Sequence, residues 1–218
     1  MCGRGTQYFT WQEMHGLYDI HSAPLNLDER YNVAPTTDIV TVRSGQGGRI
    51  AARMRWGLIP SWWKDDKPPA STINARAEGI ASKPMWRKPF KSQRCIIPFS
   101  GFYEWKREGG TKRPFYITMA DDGIMSLAGI WDVIEREGEE IHSCAIVTTS
   151  ANGLMAGIHD RMPVILGKYD LEGWLSGRAG EDALKPCPDS WIKATEVSTY
   201  VNSVRNQGEK CIVPLTAV

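Results

Sequence analysis

Three glycine-bearing turns divide the middle of this chain into pairs of β-forming runs, and they constrain the fold more than any other feature. Residues 39–43 and 50–57 flank a turn at 44–48; residues 102–106 and 113–118 flank Gly109-Gly110; residues 124–133 and 141–149 flank Glu137-Gly138. Runs of β-branched and aromatic residues bounded by such turns read as hairpins. Residues 94–98 add a further strand. Thr10 followed by Glu13 is a capping box and opens a short helix that ends before Ser22. Further helical stretches are expected at 151–156 and 169–176. Hairpins with interspersed helices give an α+β fold, mostly antiparallel, with a curled or barrel-like β-sheet. Alternating βαβ units are not visible, which argues against a doubly wound nucleotide fold. The 218 residues are 42% hydrophobic, enough for a single domain over 1–218 that buries about 70% of its unfolded surface.

A net charge of +1 argues against gripping long duplex DNA by bulk charge, while leaving room for a local basic groove. The five cysteines are odd in number, widely spaced and free of any CxxC pair. That excludes the usual structural zinc pattern and points to a reducing compartment. Cys95 and Cys144 lie in apolar runs and read as inert core thiols. No stretch approaches the ~18 apolar residues of a membrane span, and there is no hydrophobic signal region. A cytoplasmic protein is expected, nuclear if eukaryotic, with no metal and no organic cofactor.

Cys2 is the second residue. If Met1 is trimmed, it carries a free α-amine and a thiol on adjacent carbons. Such a 1,2-aminothiol condenses with an aldehyde to an imine, and the thiol then closes a five-membered thiazolidine. The α-amine titrates near about 7.7–8.0, and a free thiol near ~8.5 is partly thiolate. While Met1 is attached, the nitrogen is an amide and cannot form an imine. Taken alone, Cys2 is equally a small residue at a frayed end.

Several segments place polar groups against the local pattern. Asn32 interrupts an apolar run before Pro35. Asn74 and Arg76 stand near the start of a possible helix at 73–78. Glu104 lies between Tyr103 and Trp105 in a strand, where period-two alternation puts Phe102, Glu104 and Lys106 on one face. His159 sits in a charged knot, Ile158-His159-Asp160-Arg161-Met162-Pro163. Each has an ordinary alternative: a loop amide, a solvated strand carboxylate beside Lys106, a satisfied histidine. Trp62-Trp63 is either a core anchor or a stacking platform for nucleobases. In a strand the two rings would point to opposite faces; in a Pro-flanked loop at least one would be exposed. Arg4, Arg43, Arg53, Arg55, Arg76, Lys88 and Arg161 are candidate phosphate contacts.

In order, these blocks resemble the SOS-response-associated peptidase family, the SRAP domain of abasic-site processing proteins. The resemblance rests on Met1-Cys2-Gly3-Arg4, Tyr31-Asn32-Val33-Ala34-Pro35, Trp56 through Trp63, Ile73 through Glu78, Gly101-Phe102-Tyr103-Glu104-Trp105, His159-Asp160-Arg161-Met162-Pro163 and Asn206-Gln207-Gly208. It implies recognition of abasic sites in single-stranded DNA and a covalent crosslink from Cys2 to the opened sugar. Asn32, Glu104 and His159 would line the Cys2 site. Glu104 would also take part in release of Met1, and a weak lyase activity would accompany the imine. DNA contacts are expected from Arg4, Pro35, Trp62, Trp63, Asn74, Arg76 and Arg161. A monomer is expected, nucleoid-associated during damage, with replication-fork proteins as candidate partners. Two other classes compete: a non-covalent single-strand binding module, and a thiol peptidase acting on proteins.

Overall fold

The computed structural model describes residues 2–215; the expected loss of Met1 falls on a residue outside that range. In chain order the strands are β1 (Gly5–Gln7), β2 (Arg30–Val33), β3 (Asp38–Gly45), β4 (Gly48–Trp56), β5 (Asn74–Arg76), β6 (Arg94–Phe99), β7 (Gly101–Glu108), β8 (Thr111–Met119), β9 (Met125–Arg136), β10 (Glu139–Ser150), β11 (Arg161–Pro163) and β12 (Ile192–Glu196). The helices are α1 (Trp11–Tyr18), α2 (Pro84–Ser92), α3 (Gly153–Ala156) and α4 (Leu171–Leu175), with short 3-10 turns between.

The hairpin turns set the architecture. Glu137 and Gly138 have φ of 53° and 81°, and Gly109 and Gly110 have 56° and 81°. Two successive positive φ values are what a two-residue hairpin loop needs to match strand twist. The β3–β4 turn is tighter than the sequence indicates, because Gly45 pairs with Gly48 and leaves only Gln46 and Gly47 in the loop. Strand β6 joins the outer hairpins, pairing with β3 on one side and β9 on the other. Strand β10 pairs with β9 and also runs parallel to β4 through Ser143 and Cys144. The ring β4-β3-β6-β9-β10 therefore closes into a five-stranded barrel. A second, antiparallel sheet has the order β12-β8-β7-β1-β2. The α+β class with a barrel is the one the hairpins imply.

Alternate residues of the barrel strands feed two cores. Val40, Val42, Ile96, Ile130 and Val147 pack under Met14 and Tyr18 of α1, Trp86 and Phe90 of α2 and Trp174 of α4. Ile39, Cys95, Ile97, Cys144 and Ile146 pack on the other side, with Cys2, Val33, Phe102 and Ile117. Burial on both faces explains why β6 reads as an apolar run from Cys95 onward. The far side of the second sheet buries Tyr31, Tyr103, Tyr116 and Val201.

The capping box is present: Thr10 and Glu13 bond each other's backbone N–H at the start of α1. The possible helix at 73–78 is instead strand β5, which pairs parallel with β10 from Ile146 to Thr148. The reason is tertiary. Strand β4 leaves β10 at Cys144, and the following chain returns to occupy the vacated edge. Helix α2 has no counterpart in the sequence reading because two prolines disguise it. Pro84 sits in the first turn, where its missing N–H costs nothing, and Pro89 forfeits one bond.

Candidate active site

Strand β1 lies between β7 and β2, so the N-terminus runs into the middle of a sheet rather than fraying. A side chain at Gly5 would collide with the Phe99 ring; the absence of one lets β1 pass over β6. Cys2, just ahead of β1, is fully buried. The side-chain amide of Asn74 donates to its carbonyl at 2.9 Å, which ties the N-terminus to β5. Burial, and then the neighbouring Glu104 charge, push the Cys2 thiol far above its ordinary range, against a smaller opposing effect of the Arg4 backbone N–H. In this pocket burial disfavours the thiolate.

Glu104 reaches the same place from β7. Gly5 pairs with Phe102, and the Tyr103 N–H donates to the Arg4 carbonyl at 2.9 Å, so the register carries Glu104 alongside the residues that follow Cys2. The alternation holds: Phe102 packs with Cys2, whereas Tyr103 packs on the opposite face. Glu104 is 4% exposed and lines a cleft of about 460 Å³ together with His159, Trp105, Arg107, Lys112 and Asn202. His159 follows α3, where its backbone N–H bonds the Met155 carbonyl. Its Nδ1 lies 2.9 Å from the Asp160 carboxylate and accepts the Arg161 N–H at 3.0 Å.

Asn32 reaches the cleft through the C-terminal turn. It is buried in β2, and its two amide hydrogens are shared among the carbonyls of Val201 (3.2 Å), Ser203 (2.9 Å) and Asn206 (2.8 Å). Its Oδ1 accepts Arg4 Nη1 at 2.7 Å, and the same Nη1 donates to the Val201 carbonyl at 2.9 Å. Gln207 donates back to the Asn32 carbonyl at 3.0 Å. Trp105, 5.7 Å beneath the Arg4 guanidinium, donates to Asn202 Oδ1 at 2.7 Å. Asn32 thus latches the C-terminal turn that carries Asn202, one wall of the cleft. Arg4 belongs to the same latch.

The other expected DNA contacts divide. Arg161 makes a two-point pair with Glu78 (2.6 and 2.9 Å) and donates to the Thr148 carbonyl at 2.8 Å; these hydrogen bonds hold the Glu78 carboxyl below its ordinary value. Arg76 is exposed at the end of β5, and Pro35 is half-buried beyond β2. Trp62 and Trp63 lie in a turn closed by Trp63 N–H to the Pro60 carbonyl at 2.9 Å. Their rings are 5.9 Å apart, so they share a side instead of pointing oppositely as in a strand. Trp62 is 52% exposed; the Trp63 indole N–H bonds the Lys67 carbonyl at 2.9 Å. Neither is a core anchor. The turn is fixed by Ser61 N–H on Asp132, which faces Ser143 of β10. Asn74 faces Ile146, about 10 Å further along that strand.

Trp105, Arg107, Lys112 and Asn202 were not among the expected site residues. One signal was available: Arg107 and Lys112 stand opposite each other across the β7–β8 hairpin, and facing like charges are destabilising unless an anion lies over them. Among the described residues no group of three or more His, Cys, Asp or Glu is placed to hold a metal ion, and no helix is long and apolar enough to cross a membrane.

Residues 1–204 match the family model described as SOS response associated peptidase (SRAP). Abasic site processing protein YoqW of Bacillus subtilis is 37% identical, across 97% of this chain and 99% of its own. Abasic site processing protein YedK of Escherichia coli is 34% identical, across 99% and 100%. A crystal structure of a Bacteroides thetaiotaomicron protein superposes with a TM-score of 0.89 at 28% identity, covering 99% of this chain and 100% of that one.

Proposed function

Because the chain belongs to the SOS response associated peptidase family, we propose that it processes abasic sites in single-stranded DNA by covalent capture at Cys2. The relatives named above are abasic site processing proteins. The observation that carries the reading is that the buried Cys2 thiol feels the Glu104 charge, and that Glu104 opens onto a cleft with His159 and the cations Arg107 and Lys112.

Release of Met1, assisted by the Glu104 carboxylate, frees the Cys2 amine. The open form of an abasic sugar presents an aldehyde at C1′. The amine adds to it, and loss of water gives an imine. His159 donates a proton to the sugar ring oxygen as the ring opens, and Glu104 takes a proton from the attacking amine. The thiol stays protonated through these steps. Once the iminium is positive, it favours a thiolate beside it. Sulfur then bonds to the iminium carbon, the C=N electron pair returns to the nitrogen, which keeps its own proton, the thiol proton goes back to the acid that protonated the departing water, and the thiazolidine closes. The balance is protein plus DNA minus one water. If the thiol is slow, the imine can instead lose the 3′ phosphate by β-elimination. Asn74 fixes the Cys2 carbonyl, and Asn32 with Arg4 holds the cleft wall. A buried, protonated thiol beside a carboxylate weighs against a thiol peptidase that attacks external proteins.

The test is a denaturing gel of the protein with single-stranded DNA bearing an abasic site. The expected result is a shifted band that survives boiling without reductant, with a mass equal to both components less one water. Retardation in a native gel with no heat-stable adduct would return the protein to a non-covalent binding module.

A further inference from the structure

From Gly79 to Tyr103 the chain has no acidic residue, yet it carries Lys83, Arg87, Lys88, Lys91 and Arg94. Helix α2 lies in this stretch. Trp86 and Phe90 bury one face, while Arg87, Lys88 and Lys91 are exposed on the other. Arg87 and Lys91 are one turn apart on one face, about 6 Å along the axis, the scale on which phosphates succeed one another in an extended strand. These side chains line an open groove of about 550 Å³ together with Phe90, Arg94 and Gly177. Arg94 supplies a fixed charge in the wall, its guanidinium bonded to the carbonyls of Phe90 and Ala179. A solvated helix face usually mixes signs; this one does not.

The basic face is also fastened to the exposed aromatic turn. Lys88 Nζ donates to Ser61 Oγ at 2.9 Å and lies 3.7 Å from Asp132. Asp132, buried, accepts the Ser61 N–H at 2.9 Å through its other oxygen. Ser61 directly precedes Trp62. One carboxylate thus holds a cationic helix and an exposed indole in a single rigid surface. Cations for phosphates beside a ring for a base are the two elements of a single-strand track.

We propose that the exposed face of α2 together with Trp62 is a nucleic-acid contact that takes the phosphates and a base of the strand flanking the reactive nucleotide. This rests on the single-stranded DNA reading above. The exposed indole favours nucleic acid over an acidic protein, which needs the charges but not the ring.

The test compares single strands of about five and about fifteen nucleotides, each with a stable tetrahydrofuran in place of the abasic sugar, by fluorescence anisotropy. The variant is Arg87→Gln/Lys91→Gln, two exposed positions whose loss leaves the core intact; thermal melting checks this. On the long strand, removing two phosphate contacts should lower the salt slope by roughly 1.4, so that the affinity lost between about 50 and 200 mM salt shrinks about sevenfold. Affinity for the short strand, and crosslinking to a short strand with a true abasic site, should not change. Equal slopes and affinities on the long strand for variant and wild type would overturn the proposal and leave this face to an acidic protein partner. Failure of the wild type to crosslink the short strand would instead sink the abasic reading, and the anisotropy comparison would still decide whether α2 contacts DNA.

Discussion

Replacing Asn32 by Ala tests whether this residue acts on chemistry or on architecture. The substitution removes two amide hydrogens shared by the carbonyls of Val201, Ser203 and Asn206, and the acceptor of Arg4. Each amide hydrogen bond is worth about 1 kcal/mol net. The Arg4 bond adds about 1 more, at the low end because the half-buried guanidinium keeps the Val201 carbonyl and regains water. The latch then loosens by about 3 kcal/mol, which raises the open fraction of the C-terminal turn by about 10²-fold. Hydrogen exchange reads this directly: the amides of Val201, Asn206 and Cys211, each bonded within the turn, should exchange about 10²-fold faster, while those of β9 and β10 stay as they are. Crosslinking should slow only as far as the closed fraction of the turn falls, and exchange in Asn32→Asp, which keeps the Arg4 partner, should lie between the two. Unchanged exchange in the turn, with crosslinking reduced by the ~10²–10⁴ that a positioned acid or base supplies, would refute the latch and put Asn32 in the chemistry.

Cys2→Ala should give no boiling-resistant adduct yet remain trappable on abasic DNA by borohydride, with strand cleavage undiminished; a heat-stable adduct without reductant would exclude the thiazolidine. His159→Ala should slow adduct formation by about 10²–10⁴ at nearly constant DNA affinity, whereas Glu104→Gln should retain Met1 by intact-mass spectrometry and therefore give no adduct. Trp62→Ala should weaken single-strand binding by about 5–150-fold with no change in melting temperature. Burial holds the Cys2, Cys95 and Cys144 thiols above their ordinary value of 9.0. Below that pH the thiols are protonated in both folded and unfolded chains and the stability this confers is complete; as pH climbs past 9 the unfolded chain ionises first and stability falls. Urea midpoints measured from pH 7 to pH 10.5 should decline, and less so in Cys95→Ala.

The hairpins were legible because their turns are local chemistry: Gly109-Gly110 and Glu137-Gly138 adopt the positive φ that such loops require, whatever surrounds them. Strand β5 was not, because three residues acquire strand structure only from the vacated edge of β10. The same limit separates the two kinds of site residue. The position of Glu104 followed from period-two alternation along one strand. The partners of Asn32 stand some 170 residues away in sequence, so its motif marked it as important but could not say for what. For Trp62 and Trp63 the adjacent Pro60 leaves strand and loop both open from sequence; a single backbone bond to its carbonyl makes the turn and leaves Trp62 exposed.

The central position of β1 bears on what happens after capture. A nucleophile on a frayed tail would leave DNA on a leash that any passing motor or exopeptidase could peel away residue by residue. Here the chain next to Cys2 is paired on both sides, to β2 and to β7, and its first carbonyl is pinned by Asn74. A pull on the DNA would load these bonds together, in shear rather than one at a time. Such an adduct would yield mechanically only when the sheet itself gives way, so clearing it by force amounts to unfolding the protein.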